Sequence, residues 1–266
     1  MHLRFLTLSI ALAGAAGLAF AQTPAPAPPP VPGYLTPQTA PDVSRVLPPP
    51  PAEGGERQMQ DLAIFRATRA LQGSPRWALA TEDVSYAVPY LLKAFSCAAG
   101  VQMTADNAPK TALLIRRVLR DSSVTSNGAK QVFQRKRPYL YVDGPICVAK
   151  TDDLAATPDY PSGHSTLSWA TGLVLAELMP DHSTALLTRA RGYGESRIVC
   201  GVHTLSAVEA GRSTGAATVA AEHGSAEFRA DLEAARAELA ALRSTAPAPA
   251  AQACATETGL IVKPPY

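Results

Sequence analysis

The sequence has no excess of charge of either sign: 24 Lys and Arg face 22 Asp and Glu, a formal net charge of +2 that falls by one if Arg4 is removed. Such a balance excludes the basic field through which proteins hold nucleic acid or an anionic membrane surface, so any anion site must be local. No apolar run beyond residue 20 is long enough to cross a bilayer, and the most apolar, Thr166–Met179, carries Glu177. Once the N-terminus is cleaved, no membrane association is expected. The four cysteines, Cys97, Cys147, Cys200 and Cys254, include no Cys-x-x-Cys metal pair. Strand signals are nearly absent, and turn residues gather in clusters such as Asp121-Ser122-Ser123 and Ala155–Asp159.

What is present begins with an export signal. Arg4 gives a positive start, Phe5–Phe20 an apolar run and Ala19-Phe20-Ala21 a small-x-small cleavage site, so residues 1–21 are expected to be removed and the rest to be periplasmic or secreted. Residues 22–52 are rich in Pro and Ala and favour extended backbone; their second half, with Tyr34, Leu35, Val43, Val46 and Leu47, is expected to pack on the domain. From residue 53 to 243 apolar residues recur three or four apart, as in Val88-Leu91-Leu92-Phe95 and Ala112-Leu113-Ile115-Val118-Leu119. This spacing predicts an all-α, single-domain helical bundle. Residues 244–266 return to Ala and Pro and are expected to form a disordered tail unless Cys254 ties it down. In an exported chain the cysteines are expected to pair, with three pairings open.

Three blocks carry chemistry. Lys130 and Arg137 are seven apart, which on one helix puts both on nearly the same face, with Pro138 ending that helix. In Pro161-Ser162-Gly163-His164, Ser162 is a natural N-cap for the apolar helix that follows, Gly163 permits close backbone approach, and the helix start favours anions. Ser196-Arg197 and His203 place a second arginine and a second histidine close together in sequence. Together the blocks offer three cationic side chains, a hydroxyl, backbone donors and two histidines, with no carboxylate or cysteine cluster for a metal. That inventory suits phosphoryl transfer without metal or other cofactor: cations for the equatorial oxygens, one histidine to attack phosphorus and one to protonate the leaving alcohol.

The pattern Lys-x6-Arg-Pro, Pro-Ser-Gly-His and Ser-Arg-x5-His resembles the signature of the type 2 phosphatidic acid phosphatase superfamily, which includes the vanadium haloperoxidases. Within it the chain is similar to the class A bacterial non-specific acid phosphatases, a likeness that extends to Leu47–Ala52, Ser168–Thr171, Leu173–Glu177 and Gly194–Gly201. The resemblance implies the all-α fold of that superfamily and an exported acid phosphatase acting on small phosphate monoesters. It implies Lys130, Arg137, Ser162, Gly163 and Arg197 as phosphate ligands, His203 as the nucleophile that becomes phosphohistidine, and His164 as the general acid. It also implies a Cys147–Cys200 disulfide, which leaves Cys97 with Cys254. A homo-oligomer is left open.

One element of the signature is missing. The family continues His-x3-Asp, and here the chain reads His203-Thr204-Leu205-Ser206-Ala207. The aspartate accepts a hydrogen bond from the ring nitrogen that does not attack, fixing tautomer and orientation. Its loss predicts slowed turnover, with the alternative of a catalytically impaired relative that only binds phosphate or a similar oxyanion. Ser206, a backbone carbonyl, Asp152 or Asp153 are candidate substitutes; Glu209, six positions past His203, points about 120° away.

Overall fold

Serine and threonine caps punctuate the chain. Ser74 accepts from Trp77 N at 3.2 Å, Thr204 from Ala207 N at 3.4 Å and Ser225 from Phe228 N at 3.3 Å, each satisfying a first-turn amide that has no partner inside its helix. The computed structural model describes residues 31–266, so the expected signal peptide and residues 22–30 lie outside the described residues. Among the described residues the chain forms ten α-helices and no strand: α1 (Glu56–Thr68), α2 (Pro75–Glu82), α3 (Val88–Ala99), α4 (Pro109–Phe133), α5 (Asp152–Ala156), α6 (Gly163–Leu178), α7 (Ser183–Val199), α8 (Leu205–Glu222), α9 (Ala226–Thr245) and α10 (Ala251–Ile261). The fold is all-α, and no described helix is long and apolar enough to cross a membrane.

Helix α6 is the central post. Its neighbours approach closely because they present glycine: a Cβ at Gly211 would lie 2.5 Å from Ser162 O, and one at Gly215 2.7 Å from Thr166 O. These two positions seat α8 against the first turns of α6. On the other side, Gly172 of α6 accommodates Ala190 of α7. The core between α3, α4, α6, α7 and α9 contains Leu91, Phe95, Leu114, Ile115, Leu175 and Phe228, all 0% exposed. Each such side chain contributes about 1.5–3 kcal/mol through removal from water.

Residues 31–52 lie along the bundle. Tyr34 packs edge-on against Phe228 at 5.2 Å between ring centres, and its N–H donates to Asp121 at 2.6 Å. Val43 and Leu47 are buried, whereas Val46 faces solvent.

The C-terminal tail differs from expectation. Instead of hanging free, it forms α10, because Cys254 is bonded to Cys97 of α3 and Ile261 fills the space that glycine leaves at position 192 of α7. Arg191 donates to Ile261 O at 2.7 Å, and Glu257 lies 2.9 Å from the buried Arg189. The second disulfide joins Cys147 to Cys200.

Candidate active site

The loop Thr157–Ser162 joins the three blocks. One side of it runs along the segment after α4: Arg137 donates from Nε to Thr157 O at 2.8 Å and from Nη2 to Thr157 Oγ1 at 2.9 Å, Lys130 donates from Nζ to Pro158 O, and Asp159 N donates to Arg135 O at 2.7 Å. At its end, Ser162 N donates to Ala207 O at 2.9 Å. The loop is thus held between α4 and the start of α8. Arg137 does not share a helix with Lys130, contrary to the seven-residue spacing argument. Helix α4 stops at Phe133, Gln134 turns left-handed at φ 49°, and Arg137 is extended at φ −69°, ψ 147°. Pro138 accounts for the extended Arg137, since its ring disfavours helical backbone in the residue before it.

Ser162 caps α6, accepting from Ser165 N at 3.4 Å and Ser165 Oγ at 3.1 Å. Its own hydroxyl proton is therefore left to donate. At Gly163 a Cβ would meet nothing nearer than Ser126 Oγ at 3.9 Å. Packing within the chain does not require glycine there, and the bare backbone leaves the first amides of α6 open to a ligand at the positive end of the helix dipole.

The third block is set by the end of α7. Gly201, at φ 79°, reverses the chain so that Val202 N and His203 N both turn back to Arg197 O at 3.2 and 3.3 Å. Arg69 caps the same helix end, donating to Ile198 O at 2.7 Å and Val199 O at 2.8 Å. The Cys147–Cys200 bond anchors the turn. Ser196 faces away from the site, donating to Asp83 Oδ2 at 2.6 Å.

Lys130, Arg137 and Arg197 are 7%, 5% and 3% exposed. Burial and then Arg137 lower the Lys130 ammonium to about 7; burial and then Arg137 lower Arg197 to about 10. Crowding three cations in a low-dielectric site is unfavourable unless an anion joins them. The arrangement invites one directly: Arg197 Nε and Nη1 are buried and find no hydrogen-bond partner among the described residues. Those described residues also include no cluster of three or more His, Cys, Asp or Glu placed to hold a metal.

Both histidines border this cationic group. His203 is buried, His164 half-buried, and each is held well below the usual imidazole value, first by burial; His164 then feels Arg197, and His203 feels Arg137, Lys130 and Arg197. Their tautomers follow from their neighbours. Arg137 Nη1 lies 3.0 Å from His203 Nε2, and a guanidinium only donates, so Nε2 carries a lone pair and Nδ1 the proton. His164 Nε2 lies 2.9 Å from Val84 O, a carbonyl that only accepts, so Nε2 carries hydrogen and Nδ1 is the nitrogen that titrates.

The partner of His203 Nδ1 is Asp159, whose Oδ1 is 2.8 Å away. None of the candidate substitutes fills that role. Ser206 is engaged with Asp61 and Arg135, Asp152 and Asp153 are exposed at the start of α5, and Glu209 pairs with Arg57 at 3.1 Å. Asp159 lies in one of the turn clusters read from the sequence, but nothing there places its side chain beside a residue 44 positions away. Asp61 and Arg135, which flank it, were likewise invisible as site residues.

The sequence model of the PAP2 superfamily matches residues 112–229. The acid phosphatase of Zymomonas mobilis is 43% identical over 212 residues, spanning 79% of this chain and 80% of its own. The non-specific acid phosphatase of Providencia stuartii is 34% identical over 212 residues, 79% of this chain and 86% of its own. That of Salmonella typhimurium is 30% identical over 185 residues, 69% and 74% of the two chains.

Proposed function

The chain belongs to the acid phosphatases of the PAP2 superfamily and is a phosphatase, and from that premise we propose that it hydrolyses small phosphate monoesters through a phosphohistidine on His203, after export to the periplasm or medium. The observation that carries this reading is the buried, unpartnered edge of Arg197 beside two neutral histidines.

The phosphate oxygens would be bound by Arg197, Arg137 and Lys130, by the Ser162 hydroxyl and by the Gly163 amide. Charge-assisted bonds of this kind contribute about 1.5–3 kcal/mol each. The lone pair of His203 Nε2 attacks phosphorus as the ester P–O bond breaks, and His164 Nδ1–H passes its proton to the departing alkoxide. Attack requires Arg137 Nη1 to leave Nε2 for a phosphate oxygen. Neutral His164 then takes a proton from water, the hydroxide attacks phosphorus, and the P–N bond breaks to return the lone pair to Nε2. Inorganic phosphate leaves, and both rings regain their starting states.

An acid optimum follows, because His164 must be protonated while its surroundings hold it below the usual imidazole value. The alternative of a binding relative with impaired turnover rests on Ala207 alone, and the Asp159 carboxylate 2.8 Å from His203 Nδ1 supports the hydrolytic reading over it. Purified mature protein is expected to release p-nitrophenol from p-nitrophenyl phosphate at acid pH without added metal. Release no faster than that of His203→Ala would contradict the proposal.

A further inference from the structure

The His-x3-Asp element is broken at Ala207, yet His203 meets a carboxylate from a different part of the chain. We infer that Asp159 is the positioning residue for the nucleophile, having taken over from the helix position now filled by Ala207, and that Arg135 and Asp61 hold it in place. This rests on the phosphohistidine reading above.

Both oxygens of Asp159 are committed. Oδ1 takes His203 Nδ1 at 2.8 Å and Thr204 N at 3.2 Å; Oδ2 takes Thr204 Oγ1 at 2.8 Å and lies 3.5 Å from Arg135. The carboxylate cannot rotate without breaking several bonds, so it fixes the plane of the ring as well as the Nδ1 proton. Arg137 at Nε2 enforces the same tautomer from the opposite edge of the ring. Nε2 is thereby left as the nitrogen with the lone pair.

A carboxylate at 0% exposure needs compensation. Arg135 supplies it, and is itself bonded to Asp61 Oδ2 at 2.9 Å, to Thr204 Oγ1 at 3.0 Å and to Ser206 Oγ at 2.7 Å. Asp61, on α1, accepts in turn from Ser206 N at 2.9 Å. A buried Asp–Arg–Asp chain therefore ties α1, the segment after α4, the Thr157–Ser162 loop and the first turn of α8 to one histidine.

Position 207 has meanwhile become apolar. Ala207 is 0% exposed in a cluster with Val43, Leu47, Ala129 and Tyr160, and its carbonyl accepts the Ser162 amide. Asp159 and Ala207 thus lie across the same loop-to-helix junction. Removal of a carboxylate from one and its supply by the other leaves the ring nitrogen with the same kind of partner.

The test is a relay exchange. Asp159→Ala is expected to lower kcat about 10²–10⁴-fold with KM changed less than about threefold, because the Asp159 carboxylate makes no hydrogen bond to Lys130, Arg137 or Arg197. Asp159→Asn, which keeps the shape and removes the charge, is expected to lose a comparable factor and serves if the alanine variant does not fold. Asp159→Ala/Ala207→Asp is expected to recover at least about tenfold over the single variant. Unchanged kcat in Asp159→Ala or Asp159→Asn would overturn the inference, as would a folded, phosphate-binding exchange variant no faster than Asp159→Ala. ¹⁵N spectra of the histidines, with His203 identified by its absence in His203→Ala, separate this from failure of the phosphatase mechanism. A neutral, Nδ1-protonated His203 that shifts on Asp159→Ala supports the positioning role even if wild type turns over no faster than His203→Ala. An unmoved resonance overturns it.

Discussion

Arg137 and His203 meet nitrogen to nitrogen, Nη1 to Nε2 at 3.0 Å, so the group that would grip the phosphate also covers the atom that would attack it. A guanidinium and an imidazole lone pair make one hydrogen bond that a phosphate oxygen can exchange for a stronger, charge-assisted one. Arg137→Ala is expected to raise KM about 10–100-fold, the loss of bonds worth about 1.5–3 kcal/mol. Steady-state kinetics check this; an unchanged KM would mean that Arg137 serves only Thr157 and Val202, whose carbonyl accepts from Nη1 at 2.8 Å.

The three buried cations should make the fold depend on anions. Inorganic phosphate at 100 times its dissociation constant is expected to add about 2.7 kcal/mol of stability. Arg197→Gln should largely abolish the gain. Thermal denaturation at a series of phosphate concentrations measures both.

The histidines give an acid limb of stability. Both have folded values depressed below the usual imidazole range, so their contribution is present above that range and is lost as pH falls through the folded values. In phosphate-free buffer Tm is expected to drop as pH falls below about 6.5. His203→Gln should flatten part of that drop.

At the other end of α8, the Glu222 carboxyl is fully buried against Asp121, with no ordinary donor for either oxygen among the described residues. Burial, and then Asp121, push it up to about 9. Its protonated form is the one the fold favours, so the stability it contributes is full below the ordinary carboxylate range and is lost as pH rises toward 9. Glu222→Gln, a permanent donor of the same shape, is expected to stabilise the protein at pH 8 by on the order of 2 kcal/mol, about 4–8 °C in Tm, and to leave it nearly unchanged at pH 4. Melting curves at the two pH values test this.

The C-terminal helix should depend on its disulfide. Cys97→Ser/Cys254→Ser is expected to cost about 2–4 kcal/mol and to expose residues 246–266 to proteolysis first. A digestion pattern identical to wild type would show that Ile261 and Glu257 suffice to dock α10.

The sequence resolved what is periodic or motif-like. Helices α6 to α9 follow from apolar spacing, and the local backbone of two blocks follows from their residues, since Ser162 caps a helix and Gly201 ends one. Helix α10 was illegible because Ala, Gln and Thr offer no apolar face; a bond to Cys97 and contacts with α7 hold it. The break of α4 before Arg137 is not legible in the sequence, because a seven-residue spacing says nothing about whether the helix continues. Nor is the place of Asp159, because periodicity cannot locate a loop carboxylate opposite a helix start. The missing aspartate at 207 was visible, but its replacement is a property of the folded junction.

Trapping the covalent intermediate tests the mechanism most directly. Wild-type protein mixed rapidly with a phosphate monoester, quenched under alkaline conditions and mapped by peptide mass spectrometry is expected to carry a phosphoryl group on His203, and His203→Ala none. A phosphoryl group on another residue, or turnover in His203→Ala equal to wild type, would contradict His203 as the nucleophile.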